Sequence, residues 1–178
     1  SSVGFDAEGR GGNIEISTNT LEVNNESQLT ASTFGMGRAG NLLLQVGDQI
    51  LLDNSGLFVA SVSNSPAGNI DLISGEVQLE NNSLLSAIST TVDGGNLLLN
   101  LDTLVLLRDG SQITATAGSA QTGGNGGNIT ITAPFIVAIP AENSDITANA
   151  FEGTGGRVTI FANGIFGIEP RLELTPLS

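Results

Sequence analysis

The 178-residue chain contains no cysteine, histidine, tyrosine or tryptophan, and no lysine. Without cysteine there is no disulfide framework and no thiolate metal site. Without His, Cys, Lys and Tyr, most nucleophile and base constellations cannot be assembled. Positive charge is almost as scarce. Five isolated arginines (Arg10, Arg38, Arg108, Arg157 and Arg171) face 18 acidic residues, for a formal net charge of -13. Nucleic acid and anionic membrane surfaces are therefore excluded as expected partners, because both require a basic footprint. The sequence has no apolar run of about 18 residues, the length needed for a transmembrane helix, and no charged-then-apolar leader at its start.

What the chain does have is glycine, 24 residues of it, and 39% apolar residues. Most of the latter are Leu, Ile, Val and Ala. Frequent helix breakers among β-branched residues suit many short strands joined by tight turns.

A repeat organises these strands. Gly-Asn followed by alternating apolar residues recurs at Gly12-Asn13, Gly40-Asn41, Gly68-Asn69, Gly95-Asn96 and Gly127-Asn128, and Gly156-Arg157 is a sixth copy with Asn replaced. Successive anchors are 28, 28, 27, 32 and 29 residues apart. After each anchor, a first strand puts Ile14/Ile16, Leu42/Leu44, Ile70/Leu72, Leu97/Leu99, Ile129/Ile131 and Val158/Ile160 on one face. A second strand follows with Leu21/Val23, Ile50/Leu52, Val77/Leu79 and Leu104/Leu106 inward. The third begins with serine and reads Ser-x-[Leu/Ile]-x-[Ala/Val] at Ser27, Ser55, Ser83, Ser111 and Ser144.

Three period-2 strands per unit, with no helical stretch between them, define an all-β chain. The expected fold is a right-handed parallel β-helix, a solenoid of about five to six coils with three short strands each. Alternation turns every second side chain inward, and stacking at about 4.8 Å builds the inward aliphatics into ladders. One coil cannot bury that surface alone, whereas several stacked coils can. The anchor asparagines Asn13, Asn41, Asn69, Asn96 and Asn128 are expected to form a structural ladder, each beside a glycine with positive φ. The turns Asn24-Asn25, Asp53-Asn54, Asn81-Asn82, Asp109-Gly110 and Glu142-Asn143 recur at one phase, where Asn tolerates a left-handed backbone.

Length variation is confined to the coil ends, at residues 34–39, 61–67, 89–94, 118–126 and 151–155. All follow the third strand and should line one edge. The longest, 118–126, is expected to protrude as a flexible flap. Both ends of the sequence cut through the repeat without a polar cap. The expectation is a single β-helix segment over 1–178, a fragment of a longer protein.

The whole chain resembles the filamentous-haemagglutinin-like exoproteins of two-partner secretion, in the form common in cyanobacteria. The resemblance is strongest over Gly127–Pro170, where GGNI-T-I, ENSDITA and NGIFGIEPR follow in order. It implies a β-helical shaft, secreted or held at the cell surface near the outer membrane, and exported for the parent protein through a dedicated outer-membrane pore. Such repeats carry no catalytic residues to transfer. Zero cysteine also suits a chain that threads a pore unfolded.

Three functional readings follow. The first is a structural shaft or adhesin segment without catalysis, cofactor or metal. The second is a module that binds glycans or other surfaces through coil-end loops or flat sheet faces, although seven Phe with no Tyr or Trp make a weak sugar platform. The third and weakest is a carbohydrate-active β-helix enzyme. Its carboxylates would have to cluster, whereas Glu15 and Asp71 are separated by a coil carrying Leu43, about 10 Å at the usual strand spacing. Gly123-Gly-Asn-Gly-Gly-Asn superficially matches a calcium-roll turn, but Asn128 stands where that motif needs Asp and the motif occurs once. The glycine-rich stretches lack the lysine and the following helix of a phosphate loop. Candidate contact positions are Leu43 and Leu98, at the exposed phase of their strands, and Gly123, Gly124 and Asn125 in the longest loop. Open coil ends offer a route to self-association. Phe135–Ile139 and Ile165–Ile168 can each be phased two ways, leaving open which of Phe135/Ile136 and Ile165/Phe166 faces inward.

Overall fold

A computed structural model describes residues 2–3, 8–62, 64–118 and 123–170. The chain is a parallel β-solenoid of about five turns. β1 (Ser2–Val3) precedes the first full coil. That coil contains β2 (Ile14–Asn24), β3 (Gln28–Thr30) and β4 (Ser32–Thr33). The next three contain β5 (Leu42–Asp53) and β6 (Gly56–Ser61), β7 (Ile70–Glu80) and β8 (Leu84–Ser89), and β9 (Leu97–Leu107) and β10 (Gln112–Thr114). The fifth coil holds β11 (Ile129–Thr132), β12 (Phe135–Ala138), a short 3-10 turn (Pro140–Glu142) and β13 (Asp145–Thr147). β14 (Val158–Phe161) and β15 (Gly164–Phe166) begin a sixth.

Every strand pair is parallel, and each strand pairs with its equivalents one coil away. One sheet runs β14-β11-β9-β7-β5-β2, with β12 joining β9 to β15, and the other runs β1-β4-β6-β8-β10-β13. The first two expected strands of a coil join into one bent strand of 11 or 12 residues in coils one to four. The bend shows as register shifts at Thr18/Thr20, Gln45/Gln49 and Ser74/Glu76. In the fifth coil Pro134, which has no N–H for the ladder, separates β11 from β12.

The inward columns are continuous. Leu42, Ile70, Leu97 and Ile129 lie over one another, as do Leu44, Leu72, Leu99 and Ile131. Ile50, Val77, Val105 and Ile136 form a third column, and Leu57, Leu85 and Ile113 a fourth. All of these side chains are buried. Each buried aliphatic contributes about 1.5–3 kcal/mol relative to exposure, so the fold rests on the columns jointly and on no single coil.

Two details of phase differ from the sequence reading or settle it. In β9, Val105 and Leu107 are fully buried while Leu104 and Leu106 face outward and are half-buried. The run Leu104–Leu107 is apolar throughout, so alternation carried no information there; pairing with Val77 and Leu79 sets the frame. In the fifth coil Ile136 is buried and Phe135 exposed. The same register pairs Ile165 with Ile136 and Phe166 with Val137, which puts Ile165 on the inward column.

Candidate functional site

The most organised chemistry lies in polar columns that cross the coils. At the anchor, Asn13 Oδ1 accepts the Asn41 backbone N–H at 2.9 Å, and Asn41 Oδ1 accepts that of Asn69 at 2.8 Å. Asn69 and Asn96 repeat the bond to Asn96 and Asn128, both at 2.9 Å. The final acceptor, Asn128, receives the Arg157 N–H at 3.0 Å. Each bond has a reciprocal partner, because the residue after the lower anchor donates to the upper anchor's carbonyl. Ile14 N–H donates to Asn41 O at 2.9 Å, and Leu42 N–H to Asn69 O at 3.0 Å. Two hydrogen bonds thus close every coil junction at one point, the logic by which a capping box satisfies two orphan donors.

The glycine preceding each anchor has a different role from the expected one. Among the described residues the positive-φ glycines are Gly110, Gly118, Gly153 and Gly167, and no anchor glycine is among them. A Cβ at Gly40, Gly68, Gly95, Gly127 or Gly156 would instead fall on the carbonyl oxygen of the glycine one coil before. The anchor glycines are there for close main-chain approach. Positive φ belongs to the turn column, at Asn25, Glu26, Asn54, Asn81, Asn82, Asp109 and Asn143.

Sequence reading placed the serines at one phase without assigning them a bonding role, and it missed a second acceptor column. Ser55 N–H donates to Ser83 Oγ at 3.2 Å and Ser83 N–H to Ser111 Oγ at 3.0 Å, one coil on in each case. Asp93 Oδ1 accepts the Asn125 N–H at 2.8 Å, and Asn125 Oδ1 accepts the Thr154 N–H at 3.1 Å. Asp93, Asn125 and Thr154 each lie three residues before an anchor, which was the available signal. This second column ties down the flanks of the segment expected as a flap at 118–126. Gly118 N–H bonds Ser89 O at 2.9 Å, Gly124 N–H bonds Glu152 O at 2.8 Å and Gly126 N–H bonds Thr154 O at 2.9 Å. Gly123, Gly124 and Asn125 are thus paired to neighbouring coils, with Gly123 and Asn125 exposed on the surface; the middle of the flap expected there, residues 119–122, lies outside the described residues.

Leu43 and Leu98 share an outward column that runs Glu15, Leu43, Asp71, Leu98, Thr130, Thr159. Asp71 stands between the two leucines, so they do not form a continuous apolar strip. Leu43 is half-buried and Leu98 exposed. Other apolar side chains stand out from the coil-end edge: Phe34, Met36, Val62 and Phe151 are exposed there, Met36 at 68%. Beneath them the edge is ordered by its own small-residue column of Thr33, Ser61, Ser89 and Ala117, all fully buried.

The Arg108–Glu142 pair joins the turns of coils four and five, with Nε to Oε2 and Nη2 to Oε1 both at 2.8 Å. The Asp109 N–H adds a third bond to Glu142 at 2.9 Å. The guanidinium bond first, and the Asp109 N–H second, lower the Glu142 carboxyl to about 2. Hydrogen bonding to Glu142 raises Arg108 from its ordinary value. Among the described residues no three acidic side chains converge as metal ligands, and no helix is long and apolar enough to cross a membrane. Two shallow clefts open at the bend of the long strands, one of about 540 Å³ beside Asn19, Gln45 and Ile73, the other of about 670 Å³ beside Asp102, Pro134 and Asn163. Comparison with protein-family models, curated proteins and solved structures finds no match for the chain.

Proposed function

We propose that the chain is a non-catalytic shaft segment of a secreted or surface-exposed adhesin-like protein, as its resemblance to filamentous-haemagglutinin-like exoproteins implies. One observation carries this reading: the recurring polar groups are used in stacking. Anchor amides, turn backbones, serine hydroxyls and the Asp93–Asn125–Thr154 column all bond to the neighbouring coil. A molecule whose repeated chemistry is directed along its own axis transmits position and load. Export through an outer-membrane pore, and the parent protein to which the segment belongs, enter through the resemblance alone.

The second reading, a surface-binding module, is favoured by the exposed apolar side chains Phe34, Met36, Val62 and Phe151 along the coil-end edge. A glycan array and a panel of immobilised surfaces, probed with the 178-residue chain, separate the two. The shaft reading expects no saturable binding. Saturable binding that disappears in a Phe34→Ser, Met36→Ser double variant of unchanged stability would replace it with the binding module.

A further inference from the structure

The sequence contains two Asn-Gly steps, Asn125-Gly126 and Asn163-Gly164. In such a step the backbone nitrogen of the glycine can reach the side-chain carbonyl carbon of the asparagine, because no Cβ obstructs the approach. The reaction requires the asparagine side chain to rotate freely onto the main chain. The structure gives the two steps opposite conditions.

Asn125 is exposed, as Asn163 is, but three hydrogen bonds hold it. Its Oδ1 accepts the Thr154 N–H at 3.1 Å, its Nδ2 donates to Asp93 at 3.2 Å, and its own N–H donates to the same carboxylate at 2.8 Å. Asn163 is exposed at the bend between β14 and β15. Its side chain makes no hydrogen bond among the described residues. The Pro134 carbonyl accepts both the Asn163 N–H at 2.9 Å and the Gly164 N–H at 3.1 Å, so the attacking nitrogen is held only by a shared acceptor.

We propose that Asn163 is a site of spontaneous deamidation through a succinimide, and that the second acceptor column protects Asn125 from the same reaction. The Gly164 nitrogen bonds to Asn163 Cγ and gives up its proton. The Cγ–Nδ2 bond breaks and the amide leaves as ammonia. Water then opens one of the two imide C–N bonds, yielding aspartate or isoaspartate at 163. No oxidation or reduction is involved.

Either product adds one negative charge to the cleft that already contains Asp102. Isoaspartate also lengthens the main chain by one carbon. That carbon falls in the bend, where coils already differ: Ile16 to Leu21 spans five residue steps and Leu44 to Ile50 spans six. The bend absorbs the extra length, so the modification marks exposure time without unravelling the coil.

Trypsin cuts only after arginine here, which separates residues 158–171, containing Asn163, from 109–157, containing Asn125. The folded chain is held in warm, mildly alkaline buffer and both peptides are followed by mass spectrometry, with fragmentation to localise each change. Conversion at Asn163 is expected to outpace that at Asn125 by at least ~tenfold, the factor equivalent to the net contribution of one hydrogen bond. In concentrated urea the two rates converge, and Asn163→Gln leaves the 158–171 peptide unconverted. Equal rates in the folded chain, a difference that survives in urea, or conversion of the Asn163→Gln peptide would each overturn the proposal.

Discussion

Replacing Gly68 tests the close-approach account of the anchor directly. An alanine Cβ there would lie 2.7 Å from the Gly40 carbonyl carbon, still closer to its oxygen, and 3.2 Å from Asn41 Oδ1. The oxygen and carbon are main-chain atoms of the coil below and cannot swing aside as a side chain would. Relief requires the two coils to part by more than an ångström locally. That separation stretches the flanking pair of bonds, Asn69 N–H to Asn41 Oδ1 at 2.8 Å and Leu42 N–H to Asn69 O at 3.0 Å. The cost belongs at the upper end of overpacking, about 3 kcal/mol. For a chain of this length that lowers Tm by roughly 6–12 °C, which circular-dichroism melts and urea titrations resolve easily. Gly68→Asn supplies the control. If glycine were needed for positive φ, asparagine would be the mild replacement, since it tolerates that region. Close approach makes both variants costly. An asparagine variant within about 0.5 kcal/mol of wild type, with alanine clearly destabilised, would refute the reasoning.

The phase of β9 is tested by a matched pair: Leu107→Ala should cost about 2–5 kcal/mol and the outward Leu106→Ala about 1 kcal/mol or less in urea titrations. The reverse order would restore the original phase. Glu142 titrates near 2 in the folded chain and near 4.3 in an unfolded one. Because its folded value is depressed, the stabilisation is complete above about pH 5, fades as pH falls from about 4 to 2, and is modest because both partners are partly exposed. The stability difference between wild type and Arg108→Gln should therefore shrink over that window, and a difference that stays flat contradicts the assignment. The 178-residue chain should form concentration-dependent, end-to-end oligomers, since open strand edges template pairing; light scattering that reports a strict monomer at high concentration counts against this.

The solenoid was legible because its signal is repeated. Gly-Asn at a near-constant interval, period-2 aliphatics after it and a serine before the third strand each occur five or six times, so one poor copy does not obscure the rest. Where the signal is not repeated, the sequence misled or was silent. Leu104–Leu107 offers four apolar residues in a row, and only the neighbouring coil decides which two face inward. The anchor glycines could serve either positive φ or close approach, and sequence cannot separate two causes that select the same residue. Asn125 looked like part of a flexible insertion because its partners, Asp93 and Thr154, lie 32 and 29 residues away. Arg108 and Glu142 are likewise unremarkable until stacking brings them to 2.8 Å.

The unequal coils have a metrical consequence. Anchor steps of 27, 28, 29 and 32 residues all advance the molecule by the same strand separation of about 4.8 Å. Surplus residues, such as the extra one at the bend of the second coil and the extra two at the 3-10 turn of the fifth, go sideways and contribute nothing to height. The rod is therefore a ruler graduated in turns: an insertion thickens it, and only a whole additional anchor makes it taller.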